Sequence, residues 1–272
     1  MDIQFVVFLL ICGAFSGVLF ATVKMGSALF IVPTVLLFMP VFQLPPPALI
    51  VPVIATAITS MAPMLLVDWL HDMKTQQIDS QSLIAFAPGA AMGGVIGAQI
   101  VSLMTLATFE LLLVLLVLMA MINVFLLYRP FDELSKWRCF SQLSQSAFRL
   151  PITLLIGCVS VMSASSGKLF YSVMLQMHTI KKEQVSGVST GLALFVVVAA
   201  MVGFSFPAKA FALSGTHYFV GAVHLPTCLA LAISQLATYL LCRNKGNALD
   251  KGVVHVSAVI FLVIAALRIW MN

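Results

Sequence analysis

The chain alternates between long apolar runs and short polar turns over nearly its whole length. The runs that contain no Asp, Glu, Lys or Arg are residues 3–23, 25–67, 80–109, 111–128, 150–167, 184–208 and 210–242. A helix that spans a bilayer needs about 20 mainly apolar residues. The pattern therefore predicts membrane helices, with more than one membrane segment in the longest runs.

The run over residues 25–67 is too long for one span and too short for three, which predicts a broken first unit. We place a helix over residues 3–20, a break at 21–27 and a short helix to residue 39. Hydroxyl and glycine residues favour such breaks, because they replace lost helical hydrogen bonds. A second break is predicted at Ser163–Gly167. Three ordinary helices complete each half, over residues 47–69, 81–104 and 109–128, then 184–206, 217–241 and 252–270.

Two stretches of the chain share a pattern that indicates an internal duplication. Gly13–Ser16 and Gly157–Ser160 both read glycine, two small or apolar residues and serine. Lys24 follows the first glycine by the same number of positions as Lys168 follows the second. The predicted fold is an all-α integral membrane protein with two inverted repeats, each a broken or re-entrant helix unit plus three transmembrane helices, about 8–10 membrane segments in all. The repeats and the loop between them are residues 1–130, 149–272 and 131–148.

Loop charges predict the orientation. Each half makes an odd number of passes if its broken unit crosses the membrane twice or dips in and returns, and the second half is then inverted relative to the first. If each broken unit crossed once, the halves would be parallel, and fewer of the basic residues would lie in the cytoplasm. With the N terminus outside, the cytoplasmic loops hold most of the lysines and arginines, namely Lys74, those of residues 129–149, Lys181, Lys182 and those of residues 243–251. Lys209 and Arg268 remain outside, as the positive-inside rule favours. We predict a multi-pass protein of the bacterial inner (plasma) membrane with a cytoplasmic central loop.

Composition excludes several other classes of protein. Only 8% of the residues are charged, against about 25% in a typical soluble domain. The five cysteines lack CxxC spacing, and the histidines show no metal-ligand spacing, so we expect neither a metal site nor a cofactor. The net charge of +5 fits cytoplasmic loops rather than nucleic-acid binding. The oligomeric state stays open.

Two lysines at the predicted breaks suggest a site for an anion. Lys24 and Lys168 fall near the membrane centre, where a lysine costs about 2.5–3.5 kcal/mol on insertion scales. The alternative is that each lysine extends its stem to the membrane surface. Backbone N–H groups at broken helix ends bind anions, and nearby small or hydroxyl residues add donors. This candidate substrate-binding set is Thr22, Lys24, Gly26, Ser27, Ser165, Ser166, Gly167 and Lys168.

Three segments resemble motifs of the TauE/SafE family of sulfite and organosulfonate permeases, and they occur along the chain in the order expected for that family. They are "GAFSGVLFATVKMGSALFIVP" from Gly13, "PGAAMGGVIGAQIVSLM" from Pro88 and "KKEQVSGVSTGLA" from Lys181. The resemblance implies a secondary transporter, an exporter of sulfite or a sulfoacetate-like organosulfonate, with Ser189 and Thr190 facing the site. The departure is that Lys24 and Lys168 stand where the family usually has consecutive glycines.

Other functions stay open at this point. An anion channel, or an importer of another small oxyanion or carboxylate, would share the same cationic site. An intramembrane enzyme is disfavoured because no nucleophile–base pair occurs among the apolar segments, whose charges we take to be the two lysines. His178 is the candidate for proton coupling. The coupling ion, the anion and the transport direction are not fixed by these residues.

A few polar and small residues receive structural interpretations. Asp68, His71 and Asp72 are interpreted as a solvated helix end rather than a proton relay. Gln99 and Gln235 are expected to form hydrogen bonds between helices. Four glycines on one helix, Gly89, Gly93, Gly94 and Gly97, are expected to allow close helix packing.

Overall fold

The computed structural model describes residues 3–23, 28–38, 46–75, 78–105, 107–118 without 113 and 116, 146–176, 182–209, 218–243 and 251–271. These residues are almost entirely helical. The helices are α1 (Ile3–Val23), α2 (Ala28–Phe38), α3 (Pro46–Ser60), α4 (Ala62–Lys74), α5 (Ser80–Val101), α6 (Ser146–Met162), α7 (Lys168–Gln176), α8 (Lys182–Ser205), α9 (Leu225–Cys242) and α10 (Lys251–Met271). Short helical stretches also occur within residues 107–118.

Five helical segments are long and apolar enough to cross a membrane, as the sequence predicted for an all-α membrane protein. They are Ile3–Thr22, Leu49–Lys74, Ser80–Val101, Gln184–Ser205 and Leu225–Cys242. Shorter apolar helices occupy Ala28–Phe38, Phe148–Met162 and Val256–Arg268. Large apolar side chains such as Ile11, Leu155 and Ile233 are exposed on the outer surface. That surface suits lipid, because acyl chains do not penalise exposed apolar groups.

The second predicted break is confirmed. Helix α6 ends at Met162 and α7 begins at Lys168, so Ser163–Gly167 form the interruption. In the first half, α1 continues to Val23 and α2 begins at Ala28. Residues 24–27, which include Lys24, Gly26 and Ser27, lie outside the described residues.

The helix predicted over residues 47–69 is two helices. A turn at Met61 separates α3 from α4, and Pro63 lies in the first turn of α4. Proline has no N–H to continue the hydrogen bonding of the preceding helix, which explains the interruption. Helix α4 also extends to Lys74, past the predicted end.

The helix predicted over residues 217–241 begins later, at Leu225. A small antiparallel hairpin precedes it, with Phe219 opposite His224 and Val220 opposite Val223. Gly221 has a positive φ of 58° at the turn, and an added Cβ there would overlap the carbonyl oxygen of Phe204 at the end of α8. The hairpin is therefore held tightly against α8, and the chain turns before it becomes helical.

Glycine residues bring several helices into close contact. Helix α5 packs against α6 and α8, while α1 packs against α9. A Cβ on Gly93 would overlap the carbonyl oxygen of Leu154 on α6, and one on Gly17 would overlap Thr238 of α9. The packing role predicted for the glycines of α5 is confirmed, since an added Cβ at each of the four would lie within 3.0 Å of α6 or α8.

The α5–α6 contact predicts the effect of a single methyl group. Gly93→Ala should lower the free energy of unfolding by about 1–3 kcal/mol, because the backbone atoms it meets cannot move aside easily. Thermal unfolding in detergent measures this loss. Met92→Ala, on the exposed surface of the same helix, serves as the control and should have little effect. An unchanged melting temperature for Gly93→Ala would contradict the packing described.

Candidate functional site

The interruption between α6 and α7 is a compact buried turn. The N–H of Ser163 donates to Val159 O at 2.9 Å, and the N–H of Ser165 donates to Ser160 O at 2.8 Å. These bonds satisfy carbonyl groups that the end of α6 would otherwise leave open. Ala164 and Gly167 have positive φ angles of 56° and 79°, which bend the chain twice within four residues. A Cβ on Gly167 would lie 2.7 Å from Ser160 Oγ, so glycine fits this position for two reasons.

Serine hydroxyls cap the start of α7. The N–H of Gly167 donates to Ser165 Oγ at 3.3 Å, and the N–H of Lys168 donates to Ser166 Oγ at 3.5 Å. Both serines are buried. Three of the predicted site residues, Ser165, Ser166 and Gly167, are thus brought together at a helix N terminus, beside Lys168.

Lys168 extends into the protein rather than to its surface. It is only 5% exposed, and its Nζ lies 3.5 Å from Asp68 Oδ2 of α4. The same ammonium group lies 5.2 Å from the centre of the Phe20 ring of α1, within cation–π range. The alternative in which Lys168 reaches the membrane surface is therefore wrong.

Asp68 is the second charged member of this cluster. It is fully buried, and its Oδ1 accepts a hydrogen bond of 2.7 Å from the Tyr239 hydroxyl of α9. The rings of Tyr239 and Phe20 meet edge to face at 5.6 Å. We call Phe20, Asp68, Lys168 and Tyr239 the ion-pair cluster, which joins α1, α4, α7 and α9.

The solvated helix end predicted for Asp68 and Asp72 is wrong, because both side chains are buried. The prediction that the apolar segments hold only lysine charges is wrong as well. The carboxylate of Asp68 is removed from water by tertiary packing and is stabilised by Lys168 and Tyr239. The sequence did contain a signal for the burial of Asp68. This residue directly follows a long charge-free run and lies six residues before the end of the candidate membrane span. His71, in contrast, is exposed as expected.

The remaining predicted site residues are more scattered. Thr22 is buried in the last turn of α1, where its hydroxyl donates to Val18 O and Leu19 O, both at 3.1 Å. Ser189 and Thr190 are fully buried on α8, and both hydroxyls donate to Ser186 O within the same helix. His178, the candidate for proton coupling, lies outside the described residues.

A seam of polar contacts joins α3 and α4 to α9 and to the hairpin before it. The backbone N–H of His224 donates to Thr56 Oγ1 at 3.1 Å, and Gln235 Nε2 donates to Ser60 Oγ at 3.0 Å. The hydrogen bond from Tyr239 to Asp68 continues the series along α4 and α9. The prediction of an interhelical hydrogen bond is confirmed for Gln235. It is also confirmed for Gln99, whose Nε2 donates to Gly203 O and Phe206 O, at 3.0 and 2.8 Å.

A cavity of about 170 Å³ lies at the other end of this seam. Its walls are mainly apolar, and its polar residues are Thr56, His224 and Thr227. Burial lowers the pKa of His224 below its ordinary value, which disfavours a positively charged ring. The cavity therefore supplies no cation from these residues, and the cluster around Lys168 is the better candidate for an anion.

Two polar atoms near this seam are buried without a hydrogen-bond partner among the residues that the structure describes. They are Thr59 Oγ1 and Trp69 Nε1. Trp69 follows Asp68 directly, and its Nε1 would lie 2.7 Å from a Cβ added to Gly191 of α8. Buried donors of this kind are uncommon in native proteins. Trp69 thus places an indole N–H against α8, one residue from Thr190.

These features define a multi-pass helical membrane protein with a charged site buried at a helix break. Comparison with family models matched residues 9–269 to the family described as "Sulfite exporter TauE/SafE". The chain belongs to this family, and the match covers nearly its whole length. Comparisons with curated proteins and with solved structures gave no match. The family resemblance seen in the sequence is confirmed, and membership indicates a membrane permease for a sulfur-containing anion rather than an enzyme.

The ion pair predicts strongly coupled substitutions. Lys168→Met should lower the free energy of unfolding by about 3–5 kcal/mol, because it leaves the Asp68 carboxylate buried without its cation. Asp68→Asn added to Lys168→Met should recover much of this loss, since the remaining pair carries no net charge. The measurement is chemical or thermal unfolding of the two single variants and the double variant. Simple addition of the two single effects would contradict the pairing.

Proposed function

We propose that the chain is a secondary transporter that exports a small sulfur-containing anion, such as sulfite or a sulfoacetate-like organosulfonate. The observation that carries this proposal is a buried lysine at a helix break in a chain of the sulfite exporter family. A lysine in this setting is costly and marks a functional site by default. The anion would bind at the break and pass the membrane by alternating access.

The chemistry of the α6–α7 break suits a sulfonate or sulfite group. Lys168 supplies a positive charge, and the first turn of α7 directs backbone N–H groups and the positive end of its dipole toward the same region. Ser165 and Ser166 add hydroxyl groups that rotate to donate to an oxyanion. From the first half we assign Thr22, Lys24, Gly26 and Ser27 to the same site. Ser189 and Thr190 are assigned to its α8 side.

The helix contacts support two equivalent halves. If residues 1–130 and 149–272 are equivalent halves, α1 corresponds to α6, and α5 corresponds to α9. Helix α1 packs on α9 of the other half, and α6 packs on α5 of the other half. The pair α3–α4 and its counterpart α8 also pack against each other. This reciprocal exchange of partners is the arrangement that a two-fold axis between the halves produces, and we propose that this axis lies in the membrane plane, as it does for inverted repeats.

Alternating access then uses the contact between the two halves. Rocking of one half against the other exposes a site at their interface first to one side of the membrane and then to the other. The ion-pair cluster lies at such an interface, because Phe20 and Asp68 belong to the first half and Lys168 and Tyr239 to the second. We further propose an inner-membrane location, with the N terminus outside and residues 131–148 in the cytoplasm.

A panel of anions tests the proposed function. Sulfite, sulfoacetate and methanesulfonate should raise the melting temperature of the purified protein, with sulfate and lactate as comparisons. A ligand at 100 times its Kd stabilises the folded state by about 2.7 kcal/mol. Lys24→Gln should abolish the shift. Asp68→Asn alone should retain the rise in melting temperature caused by the anions. The double variant Asp68→Asn with Lys168→Gln should lose it.

Lys74→Gln is the matched control, because Lys74 is exposed at the end of α4. It should respond to the anions as the native protein does. Counterflow of labelled methanesulfonate in proteoliposomes should be retained in the variants that keep the melting-temperature shift and lost in those that lose it. Full binding by both lysine variants would exclude the proposed site, and binding of none of the sulfur anions by the native protein would exclude the function.

A further inference from the structure

The cation assigned to the substrate already has a carboxylate beside it. Lys168 Nζ lies 3.5 Å from Asp68 Oδ2, and both side chains are buried. A sulfonate that binds Lys168 carries the same charge as Asp68 and seeks the same ammonium group. The two anions therefore compete, unless the charge of one of them is removed.

The charge balance of the cluster shows which change removes the competition. Lys168 and ionised Asp68 together carry no net charge. A sulfonate bound to Lys168 places two anions side by side at one ammonium group, where their repulsion is weakly screened. A proton on Asp68 removes this repulsion and leaves the ammonium group of Lys168 to the sulfonate.

The surroundings of Asp68 offer few alternatives for this proton. In the described part of the chain, α3, α1 and residues 184–205 of α8 contain no charged residue. The titratable groups near the carboxyl are Lys168 of α7, Tyr239 of α9 and Asp72, one turn further along α4. Arg243, just after α9, interacts electrostatically with Tyr239, as Asp72 does. His71 and Lys74 of α4 are exposed.

We propose that Asp68 is the proton-binding residue of the transport site, so that a proton on Asp68 and an anion on Lys168 bind together and the proton is the co-transported ion. Export then follows the outward gradient of the anion, because an inward proton gradient opposes it. This inference rests on the proposed function and identifies its coupling ion. Binding of the two ligands is reciprocal: the proton increases the affinity for the anion, and the anion increases the affinity for the proton by the same factor. The sequence had instead suggested His178 for this role.

Tyr239 acts as a positioning residue for Asp68. Its hydroxyl donates to Oδ1, which leaves Oδ2 facing Lys168 as the oxygen that takes the proton. In the ionised state this hydrogen bond stabilises the carboxylate. Loss of the hydroxyl should therefore let Asp68 take a proton at higher pH.

Methanesulfonate is the probe for this proposal, because a sulfonate keeps its charge across the whole neutral pH range and sulfite does not. Its Kd for the full-length protein in detergent is measured as a function of pH by calorimetry. For the native chain, the Kd should rise about tenfold per pH unit once Asp68 is ionised in the anion-free protein. For Asp68→Asn, the Kd should be independent of pH and no weaker than the native value at low pH.

Asp72→Asn is the matched control, since it removes the neighbouring carboxylate of the same helix and should preserve the pH slope. Tyr239→Phe gives an independent readout, because it should shift the pH dependence to higher pH without abolishing it. If Asp68→Asn does not fold, the shifted pH dependence of Tyr239→Phe still tests the proposal. A native pH slope in Asp68→Asn overturns the proposal, as does a pH dependence in Tyr239→Phe that is not shifted. A slope that is lost in Asp72→Asn or His178→Ala instead also overturns it. A native Kd that does not change with pH also overturns it, whereas no binding at any pH overturns the proposed function itself.

Discussion

The contact between Lys168 and Asp68 is the interaction on which this structure depends. Each charge alone would be too costly at its position, because both side chains are removed from water inside an apolar bundle. Together they are neutral, and Phe20 and Tyr239 complete their surroundings. The pair also connects helices that are 100 positions apart in the chain. The break between α6 and α7 and the packing of α4 against α9 are both needed to bring the charges together.

The helix break and the charge pair explain each other. A continuous helix through residues 163–167 would not present Lys168 at a helix N terminus, and the two positive φ angles provide the required change of direction. A glycine-rich break can bind an anion through backbone N–H groups alone. A lysine at this position adds a strong charge, and that charge requires a counter-ion whenever the anion is absent. Asp68 supplies it, so the departure from the glycine pattern and the buried carboxylate are two parts of one feature.

Local features of the site could be predicted from the sequence, whereas its partners could not. The Ser163–Gly167 break follows from a run of small and hydroxyl residues, and Lys168 stands out because it interrupts an apolar segment. The burial of Asp68 depends on tertiary packing, since its partners Lys168 and Tyr239 come from distant parts of the chain. The split at Met61 and the hairpin before α9 were missed for a local reason, the effects of Pro63 and of a positive φ at Gly221 within long apolar runs.

Co-transport of a proton with the anion has an electrical consequence that transport of the anion alone lacks. If one proton accompanies each monovalent anion, no net charge crosses the membrane, and the membrane potential does not drive transport. The most direct measurement follows methanesulfonate and protons together in proteoliposomes, with the potential set by potassium and valinomycin. The account predicts a flux that is unchanged when the potential is reversed, with one proton moved per anion. A flux that follows the potential without proton movement would contradict it.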